Sequence, residues 1–321
     1  MRVLNDSDYK LFEQLVSLNQ KSLRNTMIHF LKSKYENCIC TKKFVVAVGD
    51  TPIALVAHLD TVFQTPVSNL YYDKEKGVLW SPEGLGADDR AGVFAIIKII
   101  QAGYRPSIIL TTDEERGGIG ARALSSLPCP IPNLKYMIEL DRRGKNDCVF
   151  YDCYCPDFIH YIESFGFFEQ YGSFSDISFL MEPWDICGVN LSIGYEDEHS
   201  YSETFHIEDF FNTIEKVKKM LEATDIPDFK YENIVNSIAA KDMIFGQHCS
   251  KCKELYSEFE LFPVKGVDGK TKHYCPNCIG HVGWCDICQE AYELSDPNIK
   301  NICKECAEDI CMKTSKSSSE K

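Results

Sequence analysis

The sequence predicts an α/β protein built on a mostly parallel, mixed sheet with helices on both faces. Apolar runs typical of buried strands, such as 107–112, 135–140 and 186–193, alternate with stretches of helical periodicity. Acidic residues or histidines follow several of these runs, as expected at the strand ends of an open α/β sheet. Strand and helix alternation favours parallel pairing, because parallel strands need crossover connections that cover the sheet.

Composition indicates a folded protein of about two domains. The chain has 321 residues, of which 44% are hydrophobic. A net charge of −14 argues against electrostatic binding to nucleic acid or to an anionic membrane surface. We find neither an apolar run of about 20 residues nor the apolar core of a signal peptide, so we expect a cytoplasmic protein without membrane contact.

The domain boundaries follow from changes in residue pattern. We predict a catalytic domain at 1–228, a helical connector at 229–245, a cysteine-rich zinc-binding module at 246–312 and a disordered tail at 313–321. Within the catalytic domain, we predict strands at 44–48, 53–57, 107–112, 135–140 and 186–193, the first two joined by a hairpin turn at Gly49-Asp50. We predict helices between 7 and 35, at 90–101, after the glycine run at 117–120, from a cap near Ser175, and at 207–222.

Five clusters in the first two-thirds of the chain have the composition of a two-metal site. Two divalent ions about 3.5–4 Å apart need a bridging carboxylate, and their other ligands must leave a shared position open for water. Asp88 in G-A-D-D-R-A-G is the predicted bridge. His58 is the predicted nitrogen ligand, and Asp60, two residues along a strand on the same face, is predicted to orient its ring.

The remaining roles are assigned from neighbouring acids and histidines. In Glu114-Glu115 the side chains diverge, so we assign Glu115 to metal and Glu114 to the general base. Asp141 and His199 supply the other terminal ligands. His206 is an alternative, but we prefer His199 because it lies in H-S-x-x-E.

Taken in order, the motifs V-A-H-L-D-T, G-A-D-D-R-A-G, T-D-E-E, L-D and H-S-x-x-E resemble the co-catalytic zinc exopeptidases, over about residues 44–222. That family includes peptidase T, the glutamate-type carboxypeptidases and the zinc aminopeptidases. The resemblance implies that one zinc binds His58 and Asp141, that the other binds Glu115 and His199, and that Asp88 bridges them with Glu114 as general base or acid.

The resemblance also carries expectations about the backbone and the domain organisation. It implies a cis peptide between Asp88 and Asp89. Many family members insert a lid or dimerisation domain between the motifs matching Asp141 and His199, but this interval is short here. We therefore expect a lidless enzyme.

Two residues are candidates for contact with substrate or support of the site. Arg143 follows the predicted ligand Asp141, and its guanidinium could bind a substrate carboxylate or form a structural salt bridge. Asp176 is first a helix-capping residue with Ser175. A similar Ser-Asp pair lies near the active site in the family, so Asp176 is also a candidate supporting residue.

The C-terminal region carries four C-x-x-C pairs, a strong signal for structural zinc. The predicted ligands of two zinc ions are Cys249, Cys252, Cys275, Cys278, Cys285, Cys288, Cys303 and Cys306. Sequential and interleaved pairing both fit, and His248, His273, His281 and Cys311 are alternative ligands. So small a segment has little core, so metal would supply much of its folding energy. Its lysines are interspersed with acids, which favours protein binding or oligomerisation over nucleic-acid binding, and plain stabilisation of the enzyme is the alternative.

Together these patterns predict a metal-dependent hydrolase that cleaves a peptide bond, with Glu114 as general base for a water shared by two zinc ions. An aminopeptidase acting on short peptides is the main hypothesis. Hydrolysis of an N-acyl amino acid or another amide is the alternative reaction. The alternative of another class is an interaction protein that uses its zinc module on an enzyme-derived fold. Zinc follows from the family resemblance, and Co²⁺ or Mn²⁺ would accept the same ligands.

Overall fold

The computed structural model describes residues 2–233, 247–253, 255–256, 261–265, 271–275, 278–279, 282–284 and 291–293. The chain divides into two compact units, Met1–Val235 and Asn236–Lys321. The first unit extends past the predicted boundary at residue 228. Within the described ranges, no helix combines the length and the apolarity that crossing a bilayer requires.

The first unit contains seven α-helices and twelve strands among its described residues. The helices are α1 (Asp6–Val16), α2 (Gln20–Lys32), α3 (Ala87–Gln101), α4 (Ile119–Ser125), α5 (Pro156–Glu163), α6 (Asp176–Trp184) and α7 (Ile207–Glu222), and a 3₁₀ turn spans Glu114–Arg116. The strands are β1 (Cys38–Cys40), β2 (Phe44–Ala47), β3 (Ile53–His58), β4 (Tyr71–Asp73), β5 (Val78–Trp80), β6 (Ser107–Thr111), β7 (Tyr136–Arg142), β8 (Asp147–Val149), β9 (Phe168–Glu169), β10 (Cys187–Ser192), β11 (Tyr195–Glu196) and β12 (Thr204–His206).

Eight strands form a mixed sheet in the order β1-β2-β6-β3-β7-β10-β8-β9. Its four central strands, β6, β3, β7 and β10, are mutually parallel, and antiparallel pairs occur toward both edges. The α/β class and the mixed sheet are therefore as predicted. A second sheet of four short strands has the order β11-β12-β5-β4.

The central strands are covered on both faces. Every residue of β3 and β6 is buried, which a strand can achieve only when both sides of the sheet are packed. Helix α3 packs on β3 and β7, and α1 and α7 pack on α3. Helix α6 packs on β10 and also contacts α4. Both N-terminal helices begin after an asparagine, Asn5 or Asn19, whose side chain accepts a backbone N–H of the first turn at 2.9 Å.

The predicted hairpin between β2 and β3 is wrong. Strand β6 lies between them, antiparallel to β2 and parallel to β3. The turn is held by the start of β6 and the segment before it: Gly49 N donates to Ser107 Oγ at 3.0 Å, and Asp50 N donates to Arg105 O at 2.8 Å. A Cβ on Gly49 would lie 2.2 Å from Arg105 O, so this close backbone approach requires glycine.

The predicted helical connector does not begin at Phe229. Residues 229–233 are not helical, and Asn233 forms an isolated antiparallel bridge with Cys153. The Phe229 ring packs on Phe158 and Tyr161, with centroids 4.9 and 5.2 Å away. This aromatic packing makes the segment part of the first unit. The rest of the connector lies outside the described residues.

The described residues of the second unit include six short strands. These are β13 (Gln247–His248), β14 (Leu255–Tyr256), β15 (Phe262–Lys265), β16 (Thr271–Tyr274), β17 (Val282–Trp284) and β18 (Ala291–Glu293). Strands β13 and β14 pair with each other, and the others form a sheet in the order β16-β15-β18-β17. The predicted tail at 313–321 lies outside the described residues.

Candidate metal centre

The predicted ligands of the catalytic domain meet at the carboxyl ends of three neighbouring parallel strands. His58 ends β3, Asp141 lies near the end of β7, and the 3₁₀ turn with Glu114 and Glu115 follows β6. Asp88 lies at the start of α3. Parallel strands that end at one edge of the sheet explain why residues far apart in sequence come together.

Two donor sets share Asp88. Its Oδ1 lies 2.9 Å from His58 Nε2, and its Oδ2 lies 3.1 Å from His199 Nε2. Asp141 Oδ1 completes the first set at 3.6 Å from His58 Nε2. Glu115 Oε1 completes the second set at 3.1 Å from His199 Nε2. Each set of three offers one ligand atom per residue within 4.8 Å of the others.

These donors have the chemistry and spacing that two divalent cations need. Zinc bonds of about 2.0–2.2 Å place neighbouring donors of a tetrahedral site about 3.3 Å apart. The observed separations run from 2.9 to 3.6 Å. Because each Asp88 oxygen faces a different imidazole, the residue has the geometry of a bridging carboxylate. The residues present therefore fit a pair of metal ions.

Asp60 connects the histidine to the 3₁₀ turn. Its Oδ1 lies 3.4 Å from His58 Nδ1, and its two oxygens accept the N–H groups of Glu114 and Glu115 at 3.1 Å each. Burial would raise the pKa of Asp60, but the His58 imidazole and, to a smaller extent, these backbone hydrogen bonds hold it below its usual value. One carboxylate thus orients the imidazole and fixes the backbone of both glutamates.

Glu114 is almost fully buried beside the donor sets, with its ligand atom within 4.8 Å of those of His58 and Glu115. Burial and the nearby carboxylates, Asp141 first among them, raise the pKa of Glu114 to about 9, although His58 opposes this shift. Divalent cations held by the same cluster would lower the pKa by their charge. A buried carboxyl beside the two donor sets is suited to proton transfer.

Glu203, the acid of H-S-x-x-E, positions Asp88, the predicted bridge. It is 1% exposed, and its carboxylate accepts Gly86 N at 2.6 Å and Asp88 N at 2.9 Å. Burial raises the pKa of Glu203 to about 8 despite these hydrogen bonds. The motif itself was the sequence signal for this residue, although its role could not be read from the pattern.

Two hydroxyl groups hold Asp141, and sequence reasoning assigned this role to neither. Tyr195 Oη donates to Asp141 Oδ1 at 3.1 Å, and Ser175 Oγ donates to Asp141 Oδ2 at 3.0 Å. Asn190 also pairs with the Asp141 backbone, which its side chain contacts at 2.8 and 3.0 Å. Ser175 could be found only as a helix cap, and Tyr195 carries no local signal.

Asp89 organises the backbone behind the centre. The Asp88–Asp89 peptide is cis, as the family resemblance implies. The buried Asp89 carboxylate accepts His58 N at 3.0 Å and Gly92 N at 2.9 Å. A Cβ on Gly92 would lie 2.4 Å from Asp89 Oδ1 and 2.5 Å from Leu140 O, so the backbone that follows Asp88 and Asp89 requires glycine at this position.

The two candidate substrate or supporting residues lie in different environments. Arg143 is half exposed, and its guanidinium pairs with Glu198 Oε1 at 2.9 Å. Asp176 begins α6, is fully buried, and accepts a hydrogen bond from Thr111 Oγ1. His206, the alternative ligand, lies 3.3 Å from Thr204 Oγ1 and belongs to neither donor set.

The described cysteines of the second unit also form a cluster. Cys249, Cys252, Cys275 and Cys278 each offer a sulfur within 4.8 Å of the others. Cys252 Sγ lies 3.9 Å from Cys275 Sγ, close to the separation of about 3.8 Å that zinc–sulfur bonds of 2.3 Å give in a tetrahedron. The first two pairs therefore combine in sequential order. Cys285, Cys288, Cys303 and Cys306 lie outside the described residues, as do His281 and Cys311.

The fold matches solved peptidase structures at low sequence identity. A TET aminopeptidase from a marine sediment archaeon of the Thaumarchaeota matches with a TM-score of 0.54 and 13% identity, over 69% of this chain and 97% of that chain. A tripeptidase from Staphylococcus aureus gives 0.52 and 14%, over 69% and 100%. The aminopeptidase PepT from Bacillus cereus gives 0.51 and 14%, over 68% and 98%.

No family model and no curated protein sequence matches the chain. The structural likenesses establish the fold.

Residues 142–198, all of which the structure describes, form strands of the main sheet, two helices and the start of the second sheet, so this interval adds no separate domain.

Proposed function

We propose that the protein is a metal-dependent peptidase, and that it acts as a dizinc aminopeptidase on short peptides. The observation that carries the proposal is the pair of donor sets that share Asp88, with one imidazole facing each of its oxygens. His58 and Asp141 would hold one ion, and Glu115 and His199 would hold the other. The fold of solved aminopeptidases and a tripeptidase supports peptides as the substrate class.

Bound divalent ions would lower the pKa of a shared water and polarise the scissile carbonyl. In the proposed reaction, the Glu114 carboxylate accepts a proton from that water and returns it to the leaving amine. Asp60 keeps the Glu114 backbone fixed through the 3.1 Å hydrogen bond. Glu203, Tyr195 and Ser175 hold Asp88 and Asp141 in place, so the donors are positioned before substrate arrives.

We propose a structural role for the cysteine cluster of the second unit, with zinc bound by Cys249, Cys252, Cys275 and Cys278. A second zinc would bind Cys285, Cys288, Cys303 and Cys306. A protein partner for this unit is part of the same proposal, since the enzyme chemistry needs only the first unit. The Asp176 carboxyl, close to the centre, and the Arg143 guanidinium remain candidates for support of the site and for substrate binding.

The test is hydrolysis of one tripeptide, free and N-acetylated, by the zinc-loaded full chain with mass-spectrometric detection. We expect cleavage of the free peptide only, at its first bond. Glu114→Ala should lower the rate by about 10²–10⁴-fold, because a positioned general base contributes that much. Its metal content should equal that of the wild type, and Glu75→Ala, an exposed acid in a turn, should retain full activity.

Other outcomes would redirect the proposal. Cleavage of the acetylated peptide alone would favour hydrolysis of N-acyl amino acids or other amides. A Glu114→Ala enzyme with near wild-type rate would contradict the role of Glu114. Failure of the fully metal-loaded protein to cleave either peptide would overturn the peptidase proposal and favour the interaction protein.

A further inference from the structure

A cavity of about 580 Å³ adjoins the candidate metal centre. Asp60 and Glu115 belong both to the centre and to the cavity wall, so a group bound in the cavity lies beside the Glu115 donor. The turn between α1 and α2 and the loop 61–67 form much of the remaining wall. The volume lies within the range of about 300–1,000 Å³ typical of small-molecule sites, which is sufficient for one large side chain and its neighbouring backbone.

Much of this wall is apolar. Leu18, Val62, Phe63, Val67 and Leu85 all line the cavity. These side chains come from three separate segments of the chain, so the apolar character is a property of the assembled cavity. An apolar wall binds apolar side chains by removing both surfaces from water.

The aromatic part of the wall is held in position next to the metal ligands. The Phe63 ring occupies space that only glycine leaves free, since a Cβ on Gly84 would lie 2.2 Å from it. On another side, Phe63 contacts the Tyr201 ring with centroids 5.7 Å apart. Tyr201 follows the candidate ligand His199 by two residues, so one loop carries both His199 and the ring that Phe63 contacts.

The buried charged groups on the wall are already engaged by other protein groups, whereas the Arg116 guanidinium is 77% exposed. The buried Arg90 guanidinium donates to the carbonyls of Leu15, Leu18, Leu59 and Asp60 at 2.8–3.2 Å. Asp113 accepts Gln20 Nε2 at 3.3 Å and lies 3.8 Å from Arg116 Nη1. Asp60 and Glu115 are committed to the centre. A charged substrate side chain that enters the buried part of the cavity would therefore lose water without gaining a dedicated counter-charge.

We propose that this cavity receives the side chain of the substrate residue whose carbonyl is attacked, and that it selects large, uncharged, apolar side chains. The proposal rests on the peptidase function proposed above and adds the substrate class. Selectivity comes from the apolar wall and from the engagement of its buried charges by other protein groups. Specificity is then set by the N-terminal helices and the loop 61–67.

The first measurement is kcat/KM of the zinc-loaded full chain for tripeptides X-Ala-Ala, with X as Leu, Phe, Lys or Glu. We expect Leu and Phe to exceed both Lys and Glu by at least about tenfold, because a buried charge without a partner is costly. Equal values for all four peptides, or a preference for a charged residue, would overturn the cavity proposal while leaving the peptidase proposal intact.

A charge placed on the wall gives the second measurement. Val62 is 41% exposed in the loop, so a longer side chain can be accommodated at this position. Val62→Lys should raise the Glu-to-Leu ratio of kcat/KM by about five- to tenfold through attraction to the substrate carboxylate, and Val62→Glu should raise the Lys-to-Leu ratio similarly. The control is Leu127→Lys, at a position that is 48% exposed and does not line the cavity.

The outcomes separate the two proposals. Opposite shifts in the two Val62 variants, with unchanged ratios in Leu127→Lys, support the cavity as the side-chain site. Unchanged ratios in both Val62 variants, or equal shifts in the Leu127 control, overturn it even when peptides are cleaved. A fully loaded wild type that cleaves none of the four peptides overturns the peptidase proposal and this one with it.

Discussion

The two candidate metal sites of this protein relate to their surroundings in opposite ways. The site around Asp88 lies at the edge of a sheet whose strands β3 and β6 are buried along their whole length. Among the described residues of the second unit, the buried apolar cluster consists of Cys249, Leu261 and Cys275, with Tyr274 and Cys278 packed against it. Its proposed metal ligands are thus part of its core.

This difference shows how the source of stability constrains a metal site. A domain with a large apolar core can hold clustered carboxylates close together, because burial elsewhere offsets their repulsion. A small unit has too little apolar area for this, so metal binding supplies its folding free energy. We therefore expect changes at the first site to affect chemistry and changes at the second to affect folding.

The largest effect is expected from the second unit. Cys275→Ser should remove one zinc per chain and make the region after residue 246 sensitive to protease, since structural zinc contributes on the order of 10 kcal/mol to such folds. Limited proteolysis with mass spectrometry and zinc analysis of the full chain would measure this. Cys40→Ser, a partly exposed cysteine of β1, should retain zinc and resistance. If the C-terminal region of zinc-free Cys275→Ser resisted protease, metal binding would not be needed for its folding. The proposed difference between the two metal sites would then be contradicted.

An intermediate effect is expected where the first site depends on its supporting residues. Tyr195→Phe removes the 3.1 Å hydrogen bond to Asp141 but keeps the buried ring. We expect metal affinity or kcat/KM to fall by about 10–100-fold, as is usual when a group that orients a ligand is lost. Metal titration and peptide kinetics test this, with Tyr71→Phe on exposed β4 as the control. Wild-type values for both quantities would show that Tyr195 does not position Asp141.

The smallest effect is expected at Arg143, whose side chain is 54% exposed and paired with Glu198. Arg143→Ala should change the free energy of unfolding by less than about 1 kcal/mol, since exposed ion pairs contribute little. Thermal unfolding and kcat/KM for a tripeptide and its C-terminal amide would be compared. A loss of activity confined to the peptide with a free carboxylate would instead identify Arg143 as a substrate-binding residue.

Secondary structure was largely predictable because its signals are local. Helix α7 was predicted at 207–222 and spans Ile207–Glu222, and apolar runs located β6, β7 and β10 to within one or two residues. The pairing of strands was not local, and it produced the main errors. A turn signal at Gly49-Asp50 could not reveal that β6 inserts between β2 and β3. Residues 229–233, the described part of the predicted connector, are likewise not helical, and Phe229 packs on Phe158 and Tyr161 instead.

The sequence by itself determined which residues can serve as metal ligands, since only His, Cys, Asp and Glu have the required donors and they occur in recognisable motifs. The tertiary structure decided how the donors face one another: one Asp88 oxygen toward each histidine, Tyr195 on Asp141 and Glu203 on the backbone of Asp88. Only the tertiary structure formed the cavity that adjoins the candidate metal centre. These features depend on contacts between residues many positions apart, which the packing of the sheet and helices creates and no local pattern encodes.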